Sequence, residues 1–202
     1  MDSLIYKEIA FDSPEEVFVA MWLDELQHVG YVKEWKRATD PINITKGLKL
    51  PYIKITKLKT KTKTEKKFHT FLRPSEYTAD FSVKWTIYGW IKFVNDPNNP
   101  YDKNKIFFTR LSDVAMLIEV KPSFDQYNME RLFVLNQKFI WDKYKVFVNL
   151  VEPIELFKKT FMPAEAAPYF RYKIVPKKAQ ATGKKKGDWK MDWIPKTLKQ
   201  FL

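Results

Sequence analysis

The chain has 202 residues, 16% of them aromatic, and its 36 Lys and Arg against 24 Asp and Glu give a formal charge of +12. That size suits one domain with a sizeable core; the aromatic content excludes a disordered chain, and the charge favours an anionic partner, nucleic acid before membrane. No run approaches the ~20 apolar residues of a membrane span, the start Met1-Asp2-Ser3-Leu4 lacks signal-peptide character, and no cysteine offers a disulfide or thiolate, so an intracellular protein without a membrane partner is expected.

Residues 5–11 alternate as a short lead-in. Asp12-Ser13-Pro14-Glu15-Glu16 then opens a helix, with Ser13 as N-cap, Pro14 in the first turn and Glu16 three residues after the cap. Val17, Phe18, Met21, Trp22, Leu26 and Val29 make its apolar stripe, and Gly30 ends it. Residues 31–35 read as the first strand. In residues 53–67, Lys54, Lys57, Lys59, Lys61, Lys63, Lys66 and Lys67 are interspersed with Ile, Leu and Thr, which predicts a β-hairpin arm. Lysines on an edge strand also guard against aggregation, but seven against the single Glu65 exceed that need and favour phosphate contact.

Residues 68–72 and 77–90 predict further strands, with Tyr77, Ala79, Phe81, Val83 and Trp85 on one face and Asp80 opposite. Asp96-Pro97-Asn98-Asn99-Pro100 is a turn, so 87–94 and 105–111 predict a hairpin extension. Its aromatics, Trp90, Phe93, Tyr101, Phe107 and Phe108, belong either to the core or to a stacking surface. Residues 113–122 form a buried strand stopped by Pro122. Such a strand should not close on Glu119 and Lys121, because buried charges must be paired, exposed or working.

Ser123 or Asp125 caps a helix that reaches about Tyr144, with Met129, Leu132, Phe133, Asn136, Ile140 and Tyr144 along one side and Gln137 beside them. Residues 145–151 follow as a strand reached by a parallel crossover, and 154–161 as a brief helix. From Pro163 the chain turns basic and Gly-flanked, through Lys184, Lys185 and Lys186, before Trp189 and Trp193, a pair expected to dock on the body or on a partner. The expected division is a body at 1–162 and a partly flexible basic extension at 163–202.

A period of two puts Glu119 and Lys121 on one face, with Val120 on the other. A carboxylate, a backbone carbonyl and an ammonium then share one strand edge, which suits Mg²⁺ once a second carboxylate joins. Asp80 is the upstream candidate, whereas His28 and His69 follow no zinc-ligand spacing. Asp80 followed by Glu119-Val120-Lys121 resembles the signature of the PD-(D/E)XK nuclease superfamily, and Ser13-Pro14-Glu15-Glu16 is similar to its first-helix pattern. Ala79 stands where the motif has proline.

The resemblance covers roughly residues 13–151. It implies an α/β, restriction-endonuclease-like αβββαβ core with a β-hairpin extension and a basic C-terminal tail. It further implies Mg²⁺, with Mn²⁺ as substitute, held by Asp80, Glu119 and the Val120 carbonyl. Lys121 would position the attacking water, Glu16 would be a fourth catalytic member, and Gln137 would support the lysine or a phosphate. DNA is the implied substrate, contacted by Lys57, Lys59, Lys61, Lys63, Lys66, Lys67 and Lys184 to Lys186. A phage- or mobile-element-type endonuclease is implied, acting in a bacterial host cytoplasm as a homodimer or within a transposition or repair assembly. Two other readings stand beside it. One is a non-catalytic nucleic-acid-binding or virion protein that keeps the fold; the other is a basic structural protein in which Asp80 and Lys121 form a buried ion pair.

Overall fold

The computed structural model describes residues 4–95, 105–109, 115–122, 129–172 and 189–202. Strands β1 (Leu4–Tyr6) and β2 (Ile9–Phe11) pair antiparallel and lead into α1 (Pro14–His28). The Ser13 hydroxyl accepts from the Glu16 backbone N–H at 3.2 Å, and Pro14 occupies the first turn, where its missing N–H costs nothing. The helix is more central than one stripe implies: Phe18, Val19, Ala20, Met21, Trp22, Leu23 and Leu26 are all buried. Gly30, at φ +80°, turns the chain into β3 (Val32–Arg37).

Next come β4 (Ile42–Thr45), β5 (Leu48–Lys57), β6 (Thr62–Leu72) and β7 (Ser75–Tyr77). β5 pairs with β6 and β4 with β7, so residues 42–77 are one long antiparallel ribbon inserted between two strands of the main sheet. The predicted arm is therefore present and longer than the lysine run alone suggests. Strand β8 (Phe81–Trp85) re-enters the main sheet. The expected single strand through Asp80 is split, because 75–77 belong to the ribbon root and 81–85 to the sheet. Tyr77 and Ala79 accordingly pack in one core cluster while Phe81 and Val83 pack in the other, where strict alternation put all four on one face.

The expected hairpin extension at 87–111 is not what forms. Residues 87–93 are helix α2 (Ile87–Phe93), followed by β9 (Val94–Asn95), which pairs parallel with β10 (Phe107–Phe108). Thr86 caps the helix by accepting from Gly89 N–H at 3.3 Å. Gly89 lets it abut the body, since a Cβ there would lie 2.1 Å from the Tyr31 carbonyl oxygen. The turn at 96–100 and Tyr101 lie outside the described residues.

β11 (Met116–Val120) is buried throughout, α3 (Met129–Tyr144) follows, and β12 (Val148–Val151) returns parallel to β11. The proposed caps Ser123 and Asp125, and the strand start at 113–114, lie outside the described residues. Of the stripe expected on α3, Phe133 and Ile140 are buried while Leu132 and Tyr144 are exposed. Helix α4 (Pro153–Lys159), strands β13 (Phe170–Tyr172) and β14 (Trp189–Met191), and helix α5 (Leu198–Phe201) complete the chain.

The main sheet runs β12-β11-β8-β3, with β8 antiparallel to both neighbours and β11 parallel to β12. Core on one face packs α1, α4 and the C-terminal elements; on the other, Phe133 and Ile140 of α3 meet Ile44 and Tyr77 of the ribbon root. Aromatic rings dominate the first core: Trp22 contacts Trp85, Phe93, Phe107 and Phe161, and Phe201 stacks on Phe93. Phe93 and Phe107 are thus core residues. Ala166, Phe170 and Met191 join the same cluster, with Trp193 packed against it, so the described parts of the extension dock on the body.

Candidate active site at the edge of the main sheet

The site forms where the chain leaves the ribbon for β8. Ala38 N–H donates to the Asp80 carbonyl at 2.7 Å, Thr39 N–H to the Ala79 carbonyl at 3.1 Å, and Ala79 N–H to the Thr39 hydroxyl at 3.0 Å. This clamp fixes the backbone around Asp80, and Ala38 adopts φ +53° to make it. Because β8 begins only at Phe81, the neighbouring strand leaves the Val120 N–H free, and Asp80 Oδ2 accepts it at 2.6 Å.

Glu119 sits one residue along β11 and is only 7% exposed. Tyr77 donates its hydroxyl to Glu119 Oε2 at 2.6 Å, and Lys121 Nζ donates to Glu119 Oε1 at 2.5 Å. Glu119 and Lys121 therefore share a face, as the period of two requires. Burial, then the charge of Glu119, push the Asp80 carboxyl up to about 7, with Glu16 adding to the rise; the Val120 N–H and Lys121 oppose it. Burial and the adjacent Glu119 carboxylate likewise push the Tyr77 hydroxyl far up, so it stays a donor at all ordinary pH.

Glu16 belongs to the helix cap and to an ion pair with Arg37. Its backbone N–H and Oε1 engage Ser13, the latter at 3.0 Å from the hydroxyl, and Oε2 meets Arg37 Nη2 at 3.3 Å. Its charge still reaches Asp80. Gln137 does not join this group: Nε2 donates to the Val148 carbonyl at 2.5 Å, which ties α3 to β12 rather than supporting Lys121. Lys57, Lys59, Lys61, Lys63, Lys66 and Lys67 lie on the ribbon, while Lys184, Lys185 and Lys186 lie outside the described residues.

Two site residues escaped sequence reading. Tyr77 looked like one apolar-face residue among five, and only the change of sheet at 78–80 turns its hydroxyl toward Glu119. Arg37 ends β3 without any motif, yet bridges Asp12 at 2.6 Å and Glu16. Tyr77→Phe should cost about 1–3 kcal/mol of stability, because a buried carboxylate oxygen loses its donor. Chemical denaturation checks this; an unchanged midpoint would mean that water replaces the hydroxyl without cost.

Among the described residues, no group of three or more His, Cys, Asp or Glu is arranged to hold a metal ion. Asp80 and Glu119 nevertheless fit Mg²⁺, which takes one or two carboxylates with waters making up the rest. All their donors are hard oxygens, and a divalent cation would offset both the burial and, after it, the Glu119 charge that raise Asp80. No helix is long and apolar enough to cross a membrane among the described residues. No family model, curated protein or solved structure matches the chain.

Proposed function

We propose that this chain is a metal-dependent DNA endonuclease with a restriction-endonuclease-like core, hydrolysing phosphodiester bonds at Asp80, Glu119 and Lys121. The observation that carries the reading is the convergence of Asp80, held on the Val120 N–H, with the Glu119–Lys121 pair at the end of β11. The order of α1, β3, β8, β11, α3 and β12 supports it, since it is the αβββαβ order of that fold. Asp80, Glu119 and the Val120 carbonyl would hold Mg²⁺. When bound, it supplies a lowered pKa for water and offsets charge on the scissile phosphate. Lys121 neutralises Glu119, positions the attacking water and assists its deprotonation. Tyr77 keeps the Glu119 carboxylate oriented.

A groove beside the site is lined by Glu34, Lys36, Thr39, Ser82 and Lys84, and by Leu117 from the Glu119 face of β11. Glu34 ties up Lys36 and Lys84 at 3.3 and 2.9 Å, so the ribbon lysines are the better phosphate ligands. One observation favours a non-catalytic, nucleic-acid-binding protein instead: both Glu119 oxygens already have protein partners.

Incubating supercoiled plasmid with the protein separates the two. Nicking or linearisation is expected with Mg²⁺ or Mn²⁺ and none in EDTA, whereas Ca²⁺ should support binding with little cleavage because of its looser geometry. Cleavage undiminished by EDTA would remove Asp80 and Glu119 as a metal site.

A further inference from the structure

The register of the β5–β6 ribbon sorts its side chains by chemistry. Directly paired residues share a face, and alternate residues along a strand do too. Lys54 opposes Glu65, Tyr52 opposes Lys67 and Thr56 opposes Lys63, so Glu65 shares its face with three lysines. It forms salt bridges with Lys63 and, at 3.4 Å, with Lys67. The opposite face pairs Pro51 with Phe68 and Ile53 with Lys66, and also carries Lys49, Ile55 and Lys57. It has no carboxylate, and Lys49, Lys57 and Lys66 have no salt bridge among the described residues. Ile53, Ile55 and Phe68 stand 67%, 63% and 62% exposed, and almost the whole ribbon beyond its root is exposed.

A two-stranded ribbon is marginal alone, and three bare apolar side chains need cover. A second copy of the same face would bring unpaired lysines against lysines. A polyanion with an apolar floor suits the pattern better. Ten residues span roughly 33 Å, and a pair of strands fits a major groove about 12 Å wide. The ribbon also leaves the body beside Asp80, through the Thr39–Ala79 clamp, while Lys143 and Tyr144 of α3 each hold the Asn43 carbonyl at 2.7 Å.

We propose that the Ile53–Ile55–Phe68 face of the ribbon lies in the major groove of duplex DNA, with Lys49, Lys57 and Lys66 on the flanking phosphates. This rests on the DNA-binding part of the reading above, and it withdraws Lys63 and Lys67 from the phosphate contacts. Apolar contact to thymine methyl groups gives the three hydrophobic side chains their role.

The test is equilibrium binding of the full chain to a duplex oligonucleotide in EDTA, across a salt series, after thermal melts confirm that each variant is folded. Replacing Lys49, Lys57 and Lys66 together with Gln should flatten the slope of log K against log salt by roughly 2.7, at about 0.9 per phosphate. Replacing Lys63 and Lys67 with Gln should leave the slope nearly unchanged. Ile53→Ser with Phe68→Ser should weaken binding about tenfold at constant slope. Equal flattening by both lysine sets overturns the choice of face. Competition by netropsin, a minor-groove ligand, overturns the groove. Loss of a dimer in the Ile53→Ser/Phe68→Ser variant without DNA, at unchanged DNA affinity, assigns the face to a second copy and also overturns the proposal. Binding through the proposed face without any cleavage would sustain this inference while the nuclease reading fails; no binding at all by the wild type sinks both.

Discussion

Asp80→Asn is expected to lower cleavage a hundredfold or more, on the order of 3 kcal/mol in the barrier, while raising stability at pH 8. The amide oxygen still accepts from Val120 N–H, so the backbone contact survives. What disappears is a half-buried carboxylate within reach of the Glu119 and Glu16 charges. The sign follows from proton linkage. An unfolded Asp titrates near 3.8 and the folded Asp80 at about 7, so between those values the folded state binds more protons. Wild-type stability should therefore fall as pH rises from about 4 to about 7, by a few kcal/mol at most. The variant lacks this fall, so the melting curves of the two proteins should nearly coincide near pH 4 and separate by pH 8. Mg²⁺ should raise the wild-type melting temperature and leave the variant almost unmoved, because binding only the folded state stabilises it. Lys121 Nζ pairs with Glu119 and not with Asp80, so the buried Asp80–Lys121 pair expected of a purely structural protein does not form. A loss of stability on Asp80→Asn at pH 8, with wild-type protein inert on DNA, would nonetheless make the Asp80 charge structural and sink the nuclease reading.

Much of this was legible in the sequence where local chemistry and tertiary packing agree. Ser13, Pro14 and Glu16 announced α1, and the Ser13 hydroxyl caps it at the Glu16 N–H, although the Glu16 carboxylate takes the Ser13 hydroxyl and not its backbone N–H. The alternating lysines and threonines announced the ribbon, and Glu119 and Lys121 the charged end of β11. Failures came where the chain changes partner within a continuous pattern. Residues 75–85 alternate without interruption, yet their strand partners switch from β4 to β3 and β11 at Asp80. No local periodicity reports such a switch, so periodicity alone gives Tyr77 a packing role and misses its bond to Glu119. In α2 the aromatic and β-branched residues of 87–93 suggested strand, but the Thr86 cap and the Gly89–Phe93 spacing of four won. The tail divides: its linker lysines lie outside the described residues, whereas Trp193, from the pair expected to dock, packs on the body together with Phe170, Met191 and Phe201.

Lys121→Met separates the two readings from the other side of the site. Under the nuclease reading, cleavage should fall a hundredfold or more while duplex affinity in Ca²⁺ stays within a fewfold, since the lysine acts on the water and not mainly on the duplex. Stability without metal should also fall, because Glu119 keeps only the Tyr77 hydroxyl and becomes a buried carboxylate without a cation. Breaking such a pair from one side costs roughly 3–5 kcal/mol. The two readings part on recovery. If Glu119 is a ligand, Mg²⁺ supplies the missing positive charge, and the variant should gain more in melting temperature from Mg²⁺ than the wild type does. Glu119→Gln in the same background should restore stability by removing the unpaired charge, and should abolish the response to Mg²⁺. A destabilised Lys121→Met protein that Mg²⁺ leaves unchanged, and that Glu119→Gln rescues, would reduce the pair to a structural one.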